Sequence, residues 1–244
     1  MSATPQLSVV VPVHNEEDNV APLVGEIVAA LRGLVDFEIV YVDDTSKDAT
    51  LARLRDLQTS TPELRVIRHL SNAGQSTAVR NGVKAARGAW IATLDGDGQN
   101  DPADIPKLLA ARDAGRENTR LYAGWRVDRQ DTGSKRWASK FANALRSRLL
   151  KDATPDTGCG IKLFERAAFL DLPYFDHMHR FLPALMQRAG WSTVSVPVNH
   201  RARTAGASKY TNLHRALVGI ADLRGMIWLI RRARRTAVEE LRRR

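Results

Sequence analysis

Ile91-Ala92-Thr93-Leu94-Asp95-Gly96-Asp97-Gly98-Gln99 is an apolar run that ends abruptly in two carboxylates one residue apart. The run Ala89–Leu94 has the character of a strand buried on both faces. Carboxylates do not belong in such an interior, so Asp95 and Asp97 are expected just past the strand's carboxyl end. In an open α/β sheet that edge is where ligands bind. Two carboxylates separated by glycine can converge on one hard divalent cation, which also holds phosphate oxygens. The same tripeptide is also ordinary acidic turn chemistry, so its surroundings must decide.

Upstream, Leu7–Val13 is a short apolar strand that stops at His14-Asn15-Glu16-Glu17-Asp18. A helix follows, with Val20, Leu23, Val24, Ile27 and Leu31 at helical spacing. Phe37–Val42 is a second buried-type strand and again ends in acid, Asp43-Asp44. Leu64–Ile67 is a third strand. Asn72 to Ser76 forms a turn opening a helix over Thr77–Ala86, with Gly88 closing it. Downstream, Leu121–Trp125, Gly158–Leu163 and Thr193–Val198 are expected strands, Lys135–Leu150 a basic amphipathic helix and Phe181–Arg188 another helix. The segment Arg201–Tyr210 is polar. This alternation predicts an α/β fold with a mostly parallel sheet flanked by helices. Three strands then end in polar or acidic clusters on one edge, and a buried sheet has no structural need for that repetition.

At 244 residues and 43% hydrophobic content the chain suits one domain with an appendage. We place the boundary between residues 1–210 and a C-terminal helical segment, 211–244. The single cysteine, Cys159, excludes a disulfide framework, fits a reducing compartment and is expected as a small buried side chain. No signal peptide is expected at the polar start, and no run reaches the roughly 18 apolar residues of a spanning helix. The net charge of +10 is uneven: Arg231 to Arg244 holds seven arginines against Glu239 and Glu240. Such a tail suits an anionic surface, or a solvated terminus. Nucleic-acid binding would call for aromatics interleaved with Arg or Lys, which the chain lacks. Leu213 to Ile230 places Leu213, Ala216, Leu217, Ile220, Leu223, Ile227 and Ile230 on one side, with Trp228 at its edge. That arrangement suits a helix lying among lipid headgroups, or one docked on the protein itself.

Together these pieces resemble the inverting family-2 glycosyltransferases, which have the Rossmann-like GT-A fold. Val9-Val10-Val11-Pro12-Val13-His14-Asn15-Glu16-Glu17 looks like that family's first strand and nucleotide loop. Val42-Asp43-Asp44-Thr45-Ser46 looks like its second-strand signature, and Asp95-Gly96-Asp97 like its DxD metal motif. The spacing of Asn72, Gly74, Gly82 and Gly88 also fits. Gly124-Trp125-Arg126, Lys135 to Ser139, Asp156-Thr157-Gly158-Cys159-Gly160 and Arg203 to Lys209 resemble the branch acting on polyprenyl phosphates. That branch includes dolichol-phosphate mannosyltransferases and bacterial undecaprenyl-phosphate enzymes of envelope glycan synthesis.

The resemblance implies transfer of a hexose from a nucleotide sugar, GDP-mannose or UDP-glucose in type, to a polyprenyl phosphate. A glycan or small-molecule hydroxyl is the alternative acceptor. Asp97 is the expected direct ligand of Mg²⁺ or Mn²⁺; Asp95 is a second, or a ribose contact. Gln99 adds a neutral oxygen if the loop is extended. Glu16 and Asp43 or Asp44 are placed to accept from base and ribose, with Pro12, His14 and Asn72 beside them. Capping of the following helices is the competing duty, for which Asp18 and Asp48 are also available. Arg203 and Lys209 look like a lid over the donor diphosphate. Arg126, Lys135, Arg136, Ser139 and Ser208 match the acceptor-phosphate region; Lys135 and Ser139 share a helical face. Asp156 falls near the acceptor phosphate and sugar C1 by resemblance, where it orients groups or takes a proton. It is equally suited to cap a helix or pair with an arginine. The pair His177 and His179 is weak evidence for a metal, and Met178–Ala189 better suits a cover next to the lipid. The expected location is the inner face of the plasma membrane, peripherally bound.

Overall fold

The computed structural model describes residues 4–127, 146–150, 152, 154–199, 201, 212–234, 236 and 239, with the side chains of 212–217 excepted. Its seven-stranded sheet has the order β3-β2-β1-β4-β6-β5-β7. The strands are β1 (Leu7–Val13), β2 (Phe37–Asp43), β3 (Leu64–Arg68), β4 (Trp90–Thr93), β5 (Thr119–Arg126), β6 (Lys162–Glu165) and β7 (Ser192–Val198). All pairings are parallel except those of β6 with β4 and with β5. The sheet is therefore mostly parallel, as the alternation predicts, with one reversed strand inside it.

Alternate residues of β1 divide between two apolar layers, which explains why the strand is a continuous valine run. Val9, Val11 and Val13 meet Val20, Leu23 and Ile27 of helix α1 (Glu17–Leu31) and Leu108 of α4 (Ile105–Asp113). Val10 faces the other way, toward Ala78, Val79 and Val83 of α3 (Gly74–Ala85). That second layer also holds Phe169, Leu182 and Leu185 from the helices Arg166–Leu170 and Leu182–Ala189. Val9, Val10 and Val11 are wholly buried, each such side chain stabilising the fold by about 1.5–3 kcal/mol.

Several expected boundaries move. Helix α3 begins at Gly74, three residues before Thr77, because the Asp44 carboxylate caps it there. It ends at Ala85 with Ala86 extended, so Gly88 does not close it. Gly88 instead lets the chain pass against β1: a Cβ there would lie 2.8 Å from the Leu7 carbonyl carbon and the Ser8 nitrogen. The strand expected over Gly158–Leu163 starts only at Lys162, and residues 158–161 form a turn at the sheet's ligand edge. Of the helix expected over Lys135–Leu150, only residues 146–150 are described, and they are helical.

The C-terminal helix Asn212–Arg231 lies on the α3 layer. Met226 is its anchor at 1% exposure, with Leu223, Ile227 and Ile230 partly buried beside it. Arg188 Nε donates to the Leu229 carbonyl at 3.0 Å, and Asp222 lies 3.0 Å from His177 Nδ1. Ile220, which shares a cavity wall with Leu223, is 52% exposed and Trp228 60%, and the Arg232 guanidinium sits over the Trp228 ring. Among the described residues no helix is long and apolar enough to cross a membrane.

Candidate active site

Asp95 stands two residues past β4, at the edge the sequence predicts. Its backbone N–H donates to Asn100 Oδ1 at 2.9 Å, and its Oδ1 accepts from Gln75 Nε2 at 2.8 Å. Thr93 Oγ1 donates to the Gly160 carbonyl at 2.8 Å, drawing the 158–161 turn onto the same spot. A Cβ on Gly160 would lie 2.2 Å from Asp95 Oδ2 and 2.4 Å from Asn100 Oδ1, so only glycine fits there. Burial first, then the nearby Asp97 charge, raises the Asp95 carboxyl above its ordinary range; Lys162 and Arg126 pull it back.

Asp97 Oδ1 accepts from the Gln99 N–H at 3.2 Å, so the loop is turned and not extended. Strand alternation therefore does not aim the Gln99 side chain beside Asp97. The Gln99 carbonyl accepts from Arg201 N–H at 3.2 Å. Arg201 also pairs with Asp101 and Glu26, both at 2.7 Å, and Asn199 N–H donates to Asp104 at 2.6 Å. The chain leaving β7 thus straps the acidic loop from outside. Among the described residues no group of three or more His, Cys, Asp or Glu side chains converges as a metal cage. Two adjacent carboxylates fit a Mg²⁺-type ion, which takes one or two carboxylates and completes its shell with phosphate and water. They do not fit a structural zinc.

At the ends of β1 and β2 the two adjacent aspartates take different tasks. Asp44 accepts from Ala73 and Gly74 N–H, both at 2.8 Å, and lies 2.7 Å from His69 Nδ1. Its carboxylate is the cap of α3, so the competing duty applies to Asp44. Asp43 is fully buried; Oδ1 accepts from Ser46 N–H, while Oδ2 has no hydrogen-bond partner among the described residues. His14 Nδ1 lies 2.8 Å from the Asp44 carbonyl, and Asn72 Nδ2 donates to that carbonyl at 3.0 Å. Glu16 Oε2 accepts from Asn19 Nδ2 at 2.7 Å. Asp48 caps α2 (Thr50–Ser60) through Thr50, whereas Asp18 pairs with Arg53. Asn15 and Thr45 have φ of 57° and 65°. For β-branched Thr45 that is strained backbone, a kind of feature that gathers at ligand sites.

Arg126 and Asp156 form a two-pronged pair, Nε to Oδ2 at 2.6 Å and NH2 to Oδ1 at 2.9 Å. Of the alternatives open for Asp156, the structure gives the arginine partner. Arg146 pairs with Asp152 and donates to the Thr154 carbonyl at 3.0 Å. Ser76 Oγ lies 2.6 Å from His179 Nδ1, and burial pushes that imidazole down to about 3. Cys159 is wholly buried, as expected. Lys135, Arg136, Ser139, Arg203, Ser208 and Lys209 lie outside the described residues.

A cavity of about 640 Å³ runs from this edge to the C-terminal helix. Pro12, Gln75, Asp95, Lys162 and Arg146 line its polar part; Val79, Phe181, Leu182, Ile220 and Leu223 give it an apolar wall. Gln75, Asn100, Gly160, Lys162 and Arg201 are site residues that sequence reasoning missed. Lys162 carried a signal: a lysine inside the apolar run Ile161–Phe164.

The family model described as glycosyl transferase family 2 matches residues 8–172. The chain belongs to glycosyl transferase family 2. This glycosyltransferase is 36% identical over 237 residues to dodecaprenyl-phosphate galacturonate synthase of Rhizobium johnstonii, covering 93% of this chain and 68% of that one. It is 34% identical over 207 residues to undecaprenyl-phosphate 4-deoxy-4-formamido-L-arabinose transferase of Edwardsiella ictaluri, covering 84% of this chain and 62% of that one. The glycosyltransferase thus spans about two thirds of the length of these curated relatives. Its fold matches glucosyl-3-phosphoglycerate synthase of Mycobacterium tuberculosis, solved with Mn²⁺, UDP and glucosyl-3-phosphoglycerate. The TM-score is 0.69 at 18% identity, covering 93% of this chain and 80% of that one. The likeness establishes the GT-A architecture.

Proposed function

We propose that this glycosyltransferase moves a sugar from a nucleotide sugar to the phosphate of a polyprenyl phosphate, with inversion. One observation carries the proposal: a single cavity joins the acidic loop to an apolar wall built partly from the C-terminal helix. A soluble hydroxyl acceptor has no use for such a wall, whereas a lipid tail does. The names of the relatives at 36% and 34% identity support the same acceptor class.

A phosphate monoester has a second pKa near 6, so at neutral pH it is largely a dianion and already a nucleophile. Its oxygen bonds to sugar C1 while the C1–oxygen bond to the donor diphosphate breaks, the electron pair leaving with the nucleoside diphosphate. No strong base is needed, which suits an Asp156 held by Arg126 as a positioning group. Asp95 and Asp97, with Gln99 as the further candidate, would hold Mg²⁺ or Mn²⁺. When bound, such an ion neutralises charge developing on the diphosphate. Asp43 Oδ2, His14, Asn72, Glu16 and Pro12 take the base and ribose, with Asp44 holding the loop beneath them. Arg203 and Lys209 are assigned to the diphosphate. Arg126, Lys135, Arg136, Ser139 and Ser208 are assigned to the acceptor phosphate.

Residues 1–210 form the proposed catalytic unit and 211–244 its membrane-facing appendage. Trp228, Ile220, Arg231, Arg232 and Arg234 are exposed and suit an anionic headgroup layer at the inner face of the plasma membrane. The deciding experiment incubates the protein with Mn²⁺, undecaprenyl phosphate and a donor panel. The panel holds GDP-mannose, UDP-glucose, UDP-galacturonate and UDP-4-deoxy-4-formamido-L-arabinose. A glycosylated lipid from one donor, lost in Asp97→Ala, is the expected result. No lipid product from any donor, or an Asp97→Ala variant as active as the wild type, overturns the proposal.

A further inference from the structure

Lys162 sits between Ile161 and Leu163, which are 1% and 0% exposed, and is itself only 4% exposed. Pairing with Thr93 puts it on the α3 face of the sheet, where it lines the cavity together with Asp95, His179 and Arg180. An ammonium carries three donors. Among the described residues Lys162 Nζ makes one hydrogen bond, to the Cys159 carbonyl, and no ion pair. Burial disfavours this ammonium, and the nearby Asp95 and Asp156 charges favour it without forming an ion pair with it among the described residues; a protein seldom keeps so costly a charge without use. The neighbouring cations are differently placed: Arg126 is held by Asp156 and Arg146 by Asp152. Arg180 also lines the cavity, is partly buried, and makes no ion pair among the described residues. Lys162 and Arg180 are thus the cavity-lining cations that have no ion pair among the described residues.

We propose that Lys162 from the floor and Arg180 from the rim of the cavity hold a phosphate oxyanion of a bound substrate. The identity of that substrate rests on the glycosyl-transfer reading above; the oxyanion is either the donor's diphosphate or the acceptor's monophosphate. Lys162 supplies an ammonium carried on a strand of the sheet, and Arg180 supplies a fork matched to phosphate oxygens.

The test measures binding and not turnover. Calorimetric titrations of farnesyl phosphate, and of UDP and GDP with Mn²⁺, compare the wild type with Lys162→Met, Lys162→Arg and Arg180→Gln. Lys162→Met is expected to weaken one probe class by at least about tenfold, the loss of one charge-assisted hydrogen bond. Lys162→Arg should regain part of it, and Arg180→Gln should lose several-fold. A loss confined to farnesyl phosphate assigns the pair to the acceptor; a loss confined to the nucleotides assigns it to the leaving group. Undiminished binding of both classes in Lys162→Met overturns the proposal. Should that variant not fold, undiminished binding of both classes in Arg180→Gln overturns it equally. Failure of the wild type to glycosylate undecaprenyl phosphate would overturn the functional reading while leaving these titrations readable.

Discussion

Arg126 and Asp156 grip each other through two parallel contacts of 2.6 and 2.9 Å, with side chains only 14% and 5% exposed. Removing one partner of such a pair leaves an uncompensated buried charge. Asp156→Asn is therefore expected to cost about 3 kcal/mol or more in urea unfolding. Replacing both by apolar groups, Arg126→Met with Asp156→Leu, should recover most of that stability while activity stays lost. If Asp156→Asn unfolds at the wild-type midpoint, the pair is not structural.

Gly160→Ala would place a methyl group inside the Asp95 carboxylate's space. The side chain that must move is a proposed metal ligand, so the expected signature is a shift in metal dependence. The Mn²⁺ concentration for half-maximal activity should rise by at least about tenfold, as when a group supporting a metal ligand is lost. An unchanged Mn²⁺ titration would show that Asp95 does not bind the ion.

The adjacent aspartates at the end of β2 predict opposite phenotypes. Asp44→Ala removes the α3 cap and should lower stability by about 1–2 kcal/mol, read as a drop in Tm. Asp43→Asn leaves the Ser46 contact available and should cost less stability. It should weaken UDP or GDP binding, because Oδ2 is the atom proposed for the nucleotide. Equal nucleotide affinity in Asp43→Asn and wild type would return Asp43 to a purely structural part.

His179 predicts how acid acts on the fold. Its folded pKa is depressed to about 3 from an ordinary value near 6.5. Between those values the unfolded chain binds the extra proton, so stability present above pH 6.5 is lost as pH falls. Lowering pH from 7 to 5 should cost about 2 kcal/mol through this residue. His179→Gln, which keeps a group for Ser76, should flatten that part of the profile. An equally steep slope in the variant would place the acid sensitivity elsewhere.

Arg201, 40% exposed, pairs with Asp101 beside the acidic loop and with Glu26 of α1. Surface pairs of this kind contribute about 0–1 kcal/mol, so Arg201→Gln should barely change Tm. It should raise the Mn²⁺ requirement, since the backbone N–H that the Gln99 carbonyl accepts from is no longer anchored by the two ion pairs. Wild-type Mn²⁺ dependence would show that the strap has no hold on the loop.

The strands of the first half are legible in the sequence because a parallel sheet buried on both faces writes itself as unbroken apolar runs. Leu7–Val13 matches an observed strand end for end. Asp95 and Asp97 are legible as edge residues for the same reason. The division of labour between Asp43 and Asp44 is not, because adjacent strand residues point to opposite faces and only the position of α3 decides which one it recruits. Residues 158–161 read as strand because Cys159 and Ile161 are apolar; both are buried, but in a turn. Lys162 and Gly160 escaped notice because their partners, Thr93 and Asp95, lie over sixty residues away. Composition likewise gave no hint that Met226, and not the leucines and isoleucines around it, seats the C-terminal helix.

The reversed strand β6 divides the site by chain segment. Its entry turn arrives at the edge where β1, β2 and β4 leave it, so two stretches of sequence meet there head to tail. Everything proposed for the base, the ribose and the metal ion comes from the first hundred residues. The apolar wall comes mainly from residues beyond 180. At the cavity the described seam between them runs through Thr93 with Gly160, Gly160 with Asp95, and Ser76 with His179, while behind it β4 pairs with β6 and Arg166 and Tyr174 tie to α3. The side chains proposed to meet the recipient's tail and those proposed to meet the donor's base are thus carried by different stretches of chain, so substitutions in one stretch can leave the residues of the other in place.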